Sequence, residues 1–492
     1  MSNSEPYCEL KKFIFEAKDE ERNPYRKEDG YISMMISIGL MSGTSMDGID
    51  AALINTDGHT AIQSLAQASL SYDLPSKILF KSAEYALQQH TGNVTAAKRD
   101  YLQALKDYLQ AELKLAASEL AAQIDELSLY MQTRGLSLNF DAIVQHTTLL
   151  HQALIEQLIQ ESGYNRAEIK VIGYHGQTLF HRPAIGITIQ AGDGQLLANL
   201  TDIPVVYDFR TNDVKAGGQG APFAPLYHQA LAVRDQLLPV AVINCGGIAN
   251  ITVITGPTPH DLLGFDTGPG NVLIDRLVRL QTKGREHMDQ NGHYGQQGQV
   301  NESVLATLYQ KSCTVQGRYT YFDKAPPKSL DSGDLQLIPE LLQLRVADAC
   351  RTLEAFTADT IVNSMQQLPL IPAQWILAGG GWHNPVMVSE LELRAAKLPF
   401  AVQILKAQEI GWNNQALEAE IFAYLAVRSV KGLPISYPQT TGVPEPLCGG
   451  QLAEPSTSGQ NQTCFHSLQA NKVPSALPGE PGTGDKKGPQ LT

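Results

Sequence analysis

The sequence predicts an α/β protein. Short apolar runs typical of strands recur between residues 35 and 378, and longer segments with apolar residues at helical spacing lie between them. Glycine-rich turns follow several of the predicted strands, and strand ends are where open α/β sheets usually place their sites.

The first predicted strands form a hairpin. Met35–Leu40 and Ile49–Ile54 are joined by a polar turn rich in Gly, Ser and Thr, which is the pattern of two antiparallel strands. Further strands are predicted at Ile169–Tyr174, Ile203–Tyr207, Val240–Asn244 and Trp375–Ala378.

Helices are predicted in the intervals between strands. One long helical stretch is predicted over Lys98–Met131, where Leu102, Leu105 and Leu109 recur at near-helical spacing. It should form a sizeable helical layer together with the next helix. The remaining helices are predicted at Thr148–Ser162, Asn271–Leu280, Leu335–Met365 and Gln415–Val430.

Composition excludes several classes of protein. The 492 residues include 37 Lys and Arg against 50 Asp and Glu, a net charge of −13, so we expect no nucleic-acid partner. No apolar run approaches the ~18 residues of a membrane helix, and we expect a cytoplasmic protein without membrane contact. The six cysteines are scattered, which argues against a disulfide framework and against a zinc site.

The two ends of the chain differ from its middle. Residues 1–32 form a charged extension without apolar periodicity, and residues 453–492 are rich in Pro, Gly, Ser and Gln. Such segments bury too little apolar surface to offset the entropy lost on ordering. We therefore predict that both ends are disordered and carry no chemistry.

The turn after the first strand is the first candidate ligand site. Its glycines let the backbone approach an anion, its hydroxyls are donors, and Asp47 and Asp50 offer oxygen ligands for Mg²⁺. The spacing and the Lys of a Walker A loop are absent. An ordinary hairpin turn explains the same residue types. The segment consists of Gly43, Thr44, Ser45, Met46, Asp47, Gly48, Ile49 and Asp50.

Further glycine-rich turns follow later strands or precede a helix. One such turn is a weak signal. Several at the ends of separate strands indicate two lobes that close on one phosphorylated ligand. Their glycines are Gly246, Gly247, Gly268, Gly270, Gly379, Gly380 and Gly381.

Asp208 is the candidate general base, because it stands where a buried strand is predicted to end. A structural Asp that caps a turn or pairs with Arg210 is the alternative, and Asp213 is the competing base. Upstream, His175, Gln177 and Thr178 could hydrogen-bond a polyhydroxyl ligand, whereas a zinc site there lacks a third ligand.

The complete set of motifs comprises Gly43–Gly48, His175–Thr178, Asp208–Arg210, Gly217–Pro222, Phe265–Asn271, Pro326–Ser329 and Gly379–Gly381. In this order, from about residue 35 to residue 450, the set resembles the anhydro-N-acetylmuramic acid kinase family. The combination is highly specific, although each piece alone is weak.

This resemblance implies the fold of the sugar-kinase, heat-shock-protein and actin superfamily, with two RNase-H-like lobes around an ATP cleft. Lobe I would comprise residues 33–239, completed by a C-terminal helix within residues 413–450, and lobe II residues 240–412. The implied reaction uses ATP, Mg²⁺ and water to convert 1,6-anhydro-N-acetylmuramic acid to N-acetylmuramic acid 6-phosphate and ADP, in the recycling of cell-wall sugars. Members of the family are often dimeric, so a homodimer is an expectation.

The resemblance also implies residue roles. The segment Gly43–Asp50 resembles the family's ATP phosphate-binding stretch, with Asp47 near Mg²⁺ directly or through water. Asp208 falls on the family's catalytic Asp and would take a proton from the attacking water. The other glycines would line the nucleotide. The residues expected to contact the sugar are His175, Gln177, Thr178 and Arg210.

The chain departs from the family pattern after Ser329. The family usually continues Thr-Gly-Arg there, whereas this chain reads Leu-Asp-Ser-Gly-Asp over residues 330–334, so an Arg is missing. Two other functions stay open. One is a kinase for a different sugar, in which Asp208 would deprotonate a hydroxyl, and the other is a non-enzymatic ATP-binding module.

Overall fold

Two β-sheets organise the chain in a computed structural model that describes residues 33–43, 46–111, 114–313, 320–330, 332–413 and 416–456. The predicted extension of residues 1–32 lies outside these ranges, as do Thr44 and Ser45. The strands of the first sheet are β1 (Met35–Ser42), β2 (Gly48–Thr56), β3 (Ile62–Ser71), β4 (Ile169–Arg182), β5 (Ile187–Ala191), β6 (Val205–Tyr207) and β12 (Gln451–Ala453). Those of the second are β7 (Val240–Cys245), β8 (Ile248–Ile254), β9 (Leu262–Pro269), β10 (Gln374–Ala378) and β11 (Gln403–Lys406).

The two sheets share one topology. The first runs β3–β2–β1–β4–β6, and the second runs β9–β8–β7–β10–β11. In each sheet the first three strands are antiparallel neighbours and the last two add in parallel. The prediction of an α/β fold is confirmed. The predicted hairpin is also confirmed, because Ser42 pairs with Ile49 across the turn.

Helices connect and cover the sheets. In the first part of the chain they are α1 (Leu74–Gln89), α2 (Val94–Ala111), α3 (Ala117–Gln132), α4 (Phe140–Ser162), α5 (Gly194–Thr201), α6 (Thr211–Lys215) and α7 (Ala224–Arg234). In the second part they are α8 (Val272–Gln281), α9 (Glu302–Lys311), α10 (Pro339–Leu342), α11 (Val346–Gln366), α12 (Pro385–Ala395) and α13 (Leu417–Val430).

Two segments that were predicted as single helices are interrupted in the structure, so these predictions were wrong. The stretch Lys98–Met131 contains parts of two helices, α2 and α3, and between them Lys114 adopts a left-handed backbone with φ 54°. The stretch Leu335–Met365 is also interrupted. Ile338 is extended before Pro339, as residues before proline usually are, and the long helix α11 begins only at Val346.

Helix α13 packs directly on the first sheet. A Cβ added to Gly39 in β1 would lie 1.9 Å from the carbonyl oxygen of Ala419, and one on Gly173 in β4 would lie 2.0 Å from that of Phe422. Only glycine permits such a close approach of helix and strand backbones. This packing fixes the first turn of α13 above the end of β1.

A shared apolar cluster joins the two sheets. It combines Val171 and Val206 of the first sheet with Val240 and Val242 of the second, together with α13. The described residues from Met34 onward accordingly form one compact unit. The lobe boundary expected at residue 240 coincides with the first residue of β7.

The predicted start of the C-terminal tail was wrong. Residue 453 ends β12, which pairs antiparallel with β6, and Ala453 is buried. The backbone N–H of Ser456 still donates to Asn199 Oδ1 at 2.9 Å. The predicted tail beyond residue 456 lies outside the described residues. Within the described ranges, no helix is long and apolar enough to cross a membrane.

Candidate active site

A cavity of about 440 Å³ lies between the two sheets. The first sheet contributes Asp50 and Ser69, and the second contributes Asn244 at the end of β7 and the glycine turn after β10. The first turn of α13 closes the cavity with Leu417 and Glu418. The cavity thus brings together the ends of strands and glycine turns that are far apart in sequence.

The glycine turns of the second sheet meet around Cys245. A Cβ on Gly270 would lie 2.2 Å from the carbonyl oxygen of Gly246, and one on Gly381 would lie 2.5 Å from Cys245 Sγ. Gly379 has φ +91° and packs equally closely on Asn244. A larger side chain at Gly270, Gly379 or Gly381 would therefore clash with the protein atoms around Cys245.

Other predicted glycines divide into two groups. Gly380 has open space around its missing side chain and lines the cavity, and Gly246 and Gly247 are similarly uncrowded. A Cβ on Gly268 would instead lie 2.8 Å from Thr360 Oγ1 of α11. Gly268 therefore serves helix packing, which does not support its predicted place beside the nucleotide.

The turn between β1 and β2 is held by buried side chains. The Gln177 amide donates through Nε2 to the carbonyl oxygen of Gly43 at 3.0 Å, and its Oε1 accepts from Ser42 Oγ. Ser42 Oγ is also 2.8 Å from the Tyr72 hydroxyl, and Tyr72 N donates to Asp47 O at 2.9 Å. Gln177 is fully buried, so the structure gives it the task of positioning this turn rather than contacting a sugar.

Three acidic residues stand at or near the cavity. Asp47 is exposed and lies 3.5 Å from Lys77 Nζ, whereas Asp50 lines the cavity and accepts from Ser69 Oγ at 2.6 Å. Burial raises the pKa of Asp50. The pKa of Glu418 is also raised, first by surrounding protein and then by Asp50.

The carboxylate oxygens at this cavity are suitable ligands for a Mg²⁺ ion that is also bound by phosphates. Within the described ranges, no three His, Cys, Asp or Glu residues are arranged to hold a metal ion. Mg²⁺ commonly needs only one or two carboxylates, with phosphates and water as its other ligands. Asp50 and Glu418 meet that requirement, and Asp47 lies in the adjoining turn.

Arg210 is the cation at the centre of a buried polar cluster. Its Nε and Nη2 lie 3.1 and 3.0 Å from His175 Nε2, and its Nη1 donates to Gly220 O at 2.5 Å. Burial lowers the pKa of Arg210 to about 10. Burial, with Arg210 as a second cause, holds the pKa of His175 well below its usual value, so His175 is a neutral acceptor.

Asp266 is the carboxyl group that faces this cluster from the second sheet. Its Oδ2 accepts from the backbone N–H of Leu330 at 2.7 Å, and its own N–H donates to Lys328 O at 3.0 Å. Burial raises the pKa of Asp266 to about 7, although Arg210 and Lys328 lower it. In the sequence, Asp266 is visible only as part of the glycine motif Phe265–Asn271, without a sign of its burial or its charged neighbours.

Asp208 lies at the end of β6, as predicted, but its surroundings differ from those of Asp266. It is half-buried in a left-handed conformation with φ 53°, and Gln451 Nε2 donates to its Oδ2 at 2.7 Å. It lines a separate cavity of about 250 Å³ together with His175.

The other two predicted residues of this region are mostly engaged with the protein. Asp213 is buried, and its Oδ1 accepts from the backbone N–H of Gly220 at 2.6 Å. Thr178 is half-buried, and its Oγ1 accepts from Gln190 Nε2 at 3.4 Å.

Comparison with known proteins decides the family. The family model for anhydro-N-acetylmuramic acid kinase matches residues 118–454. The chain is 37% identical over 426 residues to the anhydro-N-acetylmuramic acid kinase of Nitrobacter winogradskyi, covering 86% of this chain and 100% of that one. It is 39% identical over 433 residues to that of Rhizorhabdus wittichii, with the same two coverages.

The chain belongs to the anhydro-N-acetylmuramic acid kinase family. It is therefore a kinase, and the family resemblance predicted from its motifs is confirmed. Among solved structures, a ROK family glucokinase from Streptomyces griseus in complex with glucose and AMPPNP covers 80% of this kinase and 99% of its own chain. Its TM-score of 0.34 and identity of 14% are too low to carry a conclusion about this site.

Proposed function

We propose that this kinase uses ATP and water to convert 1,6-anhydro-N-acetylmuramic acid to N-acetylmuramic acid 6-phosphate and ADP, in the recycling of cell-wall sugars. Family membership supports the substrate. The observation that carries the chemistry is Asp266, a buried carboxyl group whose pKa of about 7 suits a general base at neutral pH.

ATP would occupy the cavity between the sheets. We expect the phosphates to bind against the turn Gly379–Gly381, where Gly380 lines the cavity and has open space around its missing side chain. The family resemblance adds the stretch Gly43–Asp50, of which Asp50 lines the same cavity. Mg²⁺ would be held by Asp50 and Glu418, with Asp47 close by. When bound, it supplies positive charge that offsets the charge of the phosphates.

The sugar would lie near Arg210, between Asp266 and the cavity. Three of the N–H groups of Arg210 are engaged with His175 and Gly220, which fixes the guanidinium plane and leaves other N–H groups for sugar oxygens. His175 would thus act on the sugar through Arg210. Thr178 remains a predicted sugar contact.

Asp266 would take a proton from a water molecule as that water attacks the anomeric carbon. The bond from this carbon to O6 breaks, and O6 accepts the γ-phosphoryl group of ATP, so that ADP leaves. We favour Asp266 over Asp208 because Asp266 is buried beside Arg210 and Lys328, whereas Asp208 is half-exposed and already accepts from Gln451. Asp208 stays the alternative base.

A coupled ADP assay in ¹⁸O-labelled water tests the reaction. We expect ADP release that depends on the anhydro sugar, and one ¹⁸O atom at the anomeric carbon of the 6-phosphate product by mass spectrometry. A phosphorylated product without the label would mean that a sugar hydroxyl, rather than water, is the nucleophile. ADP release without sugar dependence would favour an ATP-binding module.

Two matched variants identify the base in the same assay. We expect Asp266→Asn to lose roughly 10²–10⁴ in turnover while keeping ATP affinity, which is the usual cost of removing a general base. Asp208→Asn should retain most of its turnover. The opposite result, with Asp208→Asn inactive and Asp266→Asn active, would return the role to Asp208.

A further inference from the structure

We propose that Glu354 is a positioning residue for the nucleotide cavity, because it is braced by Asp289, fixes Asn384 and thereby holds the glycine turn Gly379–Gly381. This inference rests on the proposed placement of ATP in the cavity between the sheets. Glu354 itself lies in α11 and does not line that cavity.

Glu354 is fully buried, and its two oxygens have different surroundings. Oε1 accepts from Asn384 Nδ2 at 2.6 Å. Oε2 is buried without a hydrogen-bond donor among the described residues. A Cβ on Gly295 would lie 1.9 Å from Oε2, so this oxygen is pressed against the Gly295 backbone.

The carboxyl group of Asp289 interacts with that of Glu354. Both Asp289 oxygens are occupied, Oδ1 by the N–H of Tyr294 at 2.8 Å and Oδ2 by the N–H of Gly295 at 2.9 Å. Both Asp289 oxygens are therefore hydrogen-bond acceptors in this structure. A proton is therefore best placed on Glu354, where it turns two facing acceptors into one hydrogen bond.

Asn384 connects this carboxyl pair to the cavity. Its Oδ1 accepts from the N–H of Val386 at 2.9 Å and caps α12, while its own N–H donates to Gly381 O at 3.1 Å. The cavity residues Gly379, Gly380 and His383 all lie within five positions of Asn384. Loss of the Glu354 contact would release the Asn384 amide and loosen this turn.

The charges around Glu354 favour its neutral form. Its pKa is raised to about 8, chiefly by burial and also by Asp289, against the lowering effects of Asn384 and Arg351. Arg351 is itself engaged by Glu390 Oε1 at 2.6 Å. Glu354 is thus protonated at neutral pH.

Two more titratable groups belong to this cluster, Cys350 and Asp275. Burial raises the pKa of the Cys350 thiol, and that of Asp275 is raised to about 7, also chiefly by burial. As pH rises above about 8, Glu354 would ionise beside the Asp289 carboxylate. Repulsion between the two carboxylates would then weaken the support of Asn384.

Calorimetric binding of the ATP analogue AMPPNP with Mg²⁺ to the full chain tests the proposal. At pH 7 we expect Glu354→Leu to raise the dissociation constant about tenfold, because it leaves the Asn384 amide unpaired. Glu354→Gln keeps a neutral acceptor and should stay within about twofold of wild type. Between pH 7 and pH 9 wild type should weaken about tenfold, and Glu354→Gln should not. The KM for the sugar should be the same in all three proteins.

Several results would overturn the proposal. Glu354→Gln could bind as weakly as Glu354→Leu at pH 7, or wild type and Glu354→Gln could share one pH dependence. If Glu354→Leu does not fold, the comparison of Glu354→Gln with wild type still decides. Absence of AMPPNP binding to wild type would also overturn it. A wild type that binds AMPPNP but fails to phosphorylate the sugar would contradict the proposed function and leave this comparison intact.

Discussion

Burial raises the pKa of two carboxyl groups, Asp266 and Glu354, for which we propose different roles. Both carboxyl groups have raised pKa values, chiefly because protein replaces water around them. Asp266 also faces Arg210 and Lys328, whose positive charges keep its pKa near 7 and therefore in the range of a working base. Glu354 faces a carboxylate instead and stays protonated at neutral pH, as a donor to Asp289.

The acid limb of the pH–rate profile should report Asp266. As pH falls through about 7, Asp266 gains a proton, and kcat/KM should decrease about tenfold per pH unit. Lys328→Met removes a positive charge that lowers the pKa of Asp266, so the limb should move to higher pH. The exposed Lys324 provides the control, since Lys324→Met should leave the limb in place. An unchanged limb in Lys328→Met would mean that another group limits the rate.

The sequence predicted the motif that contains Asp266 but did not single out Asp266 as a candidate base. Its partner Leu330 is 64 positions away, and it belongs to the loop where this chain departs from the family pattern. Arg210 lies just after β6, a strand of the other sheet. Such a microenvironment depends on folding, whereas Asp208 attracted attention because the end of a strand is visible in the sequence. Local patterns find candidate groups, but burial and charged neighbours select among them.

The spacing of apolar residues predicted the presence of strands and helices better than the breaks within them. The apolar cores of β1, β2, β7 and β10 were visible as short runs, and α13 was predicted to within two residues at its start. The break near Lys114 was missed because leucines continue at helical spacing across it. The strand β3 and the helix α1 were not predicted. In β3, apolar and polar residues alternate only weakly, and many positions are exposed.

The glycine turn after β10 offers a test of how the cavity is built. Gly381→Ala would place a methyl group 2.5 Å from Cys245 Sγ, so we expect about 1–3 kcal/mol of lost stability from overpacking. Gly380→Ala points into open space and should keep the melting temperature, but its methyl group should weaken ATP binding. Thermal unfolding and AMPPNP binding separate the two effects. Equal melting temperatures for both variants would contradict the packing described for Gly381.

At the scale of the whole molecule, two sheets of one topology carry glycine turns at equivalent positions, after their first parallel-paired strands. The turn after β1 carries Gly43, and the turn after β7 carries Gly246 and Gly247. The sequence predicted glycine-rich turns after several strands. It did not indicate the shared apolar cluster that joins the sheets, because that cluster draws on α13 and on strands more than 200 residues before it.

Deletions around the C-terminal strand β12 would show where the folded part of the chain ends. Gln451 donates to Asp208, Ala453 is buried beside β6, and Glu454 O accepts from Gln195 Nε2 at 2.7 Å. Deletion of residues 451–492 removes these contacts together, so we expect about 1–3 kcal/mol of lost stability. Deletion of residues 457–492 keeps all three of these contacts, and it should leave both the melting temperature and ATP turnover at wild-type values.

The two deletions also separate stability from chemistry. The longer deletion frees the Asp208 carboxylate from Gln451, so a large loss of turnover in a still folded protein would favour Asp208 as the base. If Asp266 is the base, the turnover of the longer deletion below its melting temperature should stay within a few-fold of wild type. Its loss should then appear as a lower melting temperature, because the strand β12 supports β6 from the edge of the sheet and lies apart from the cavity between the sheets.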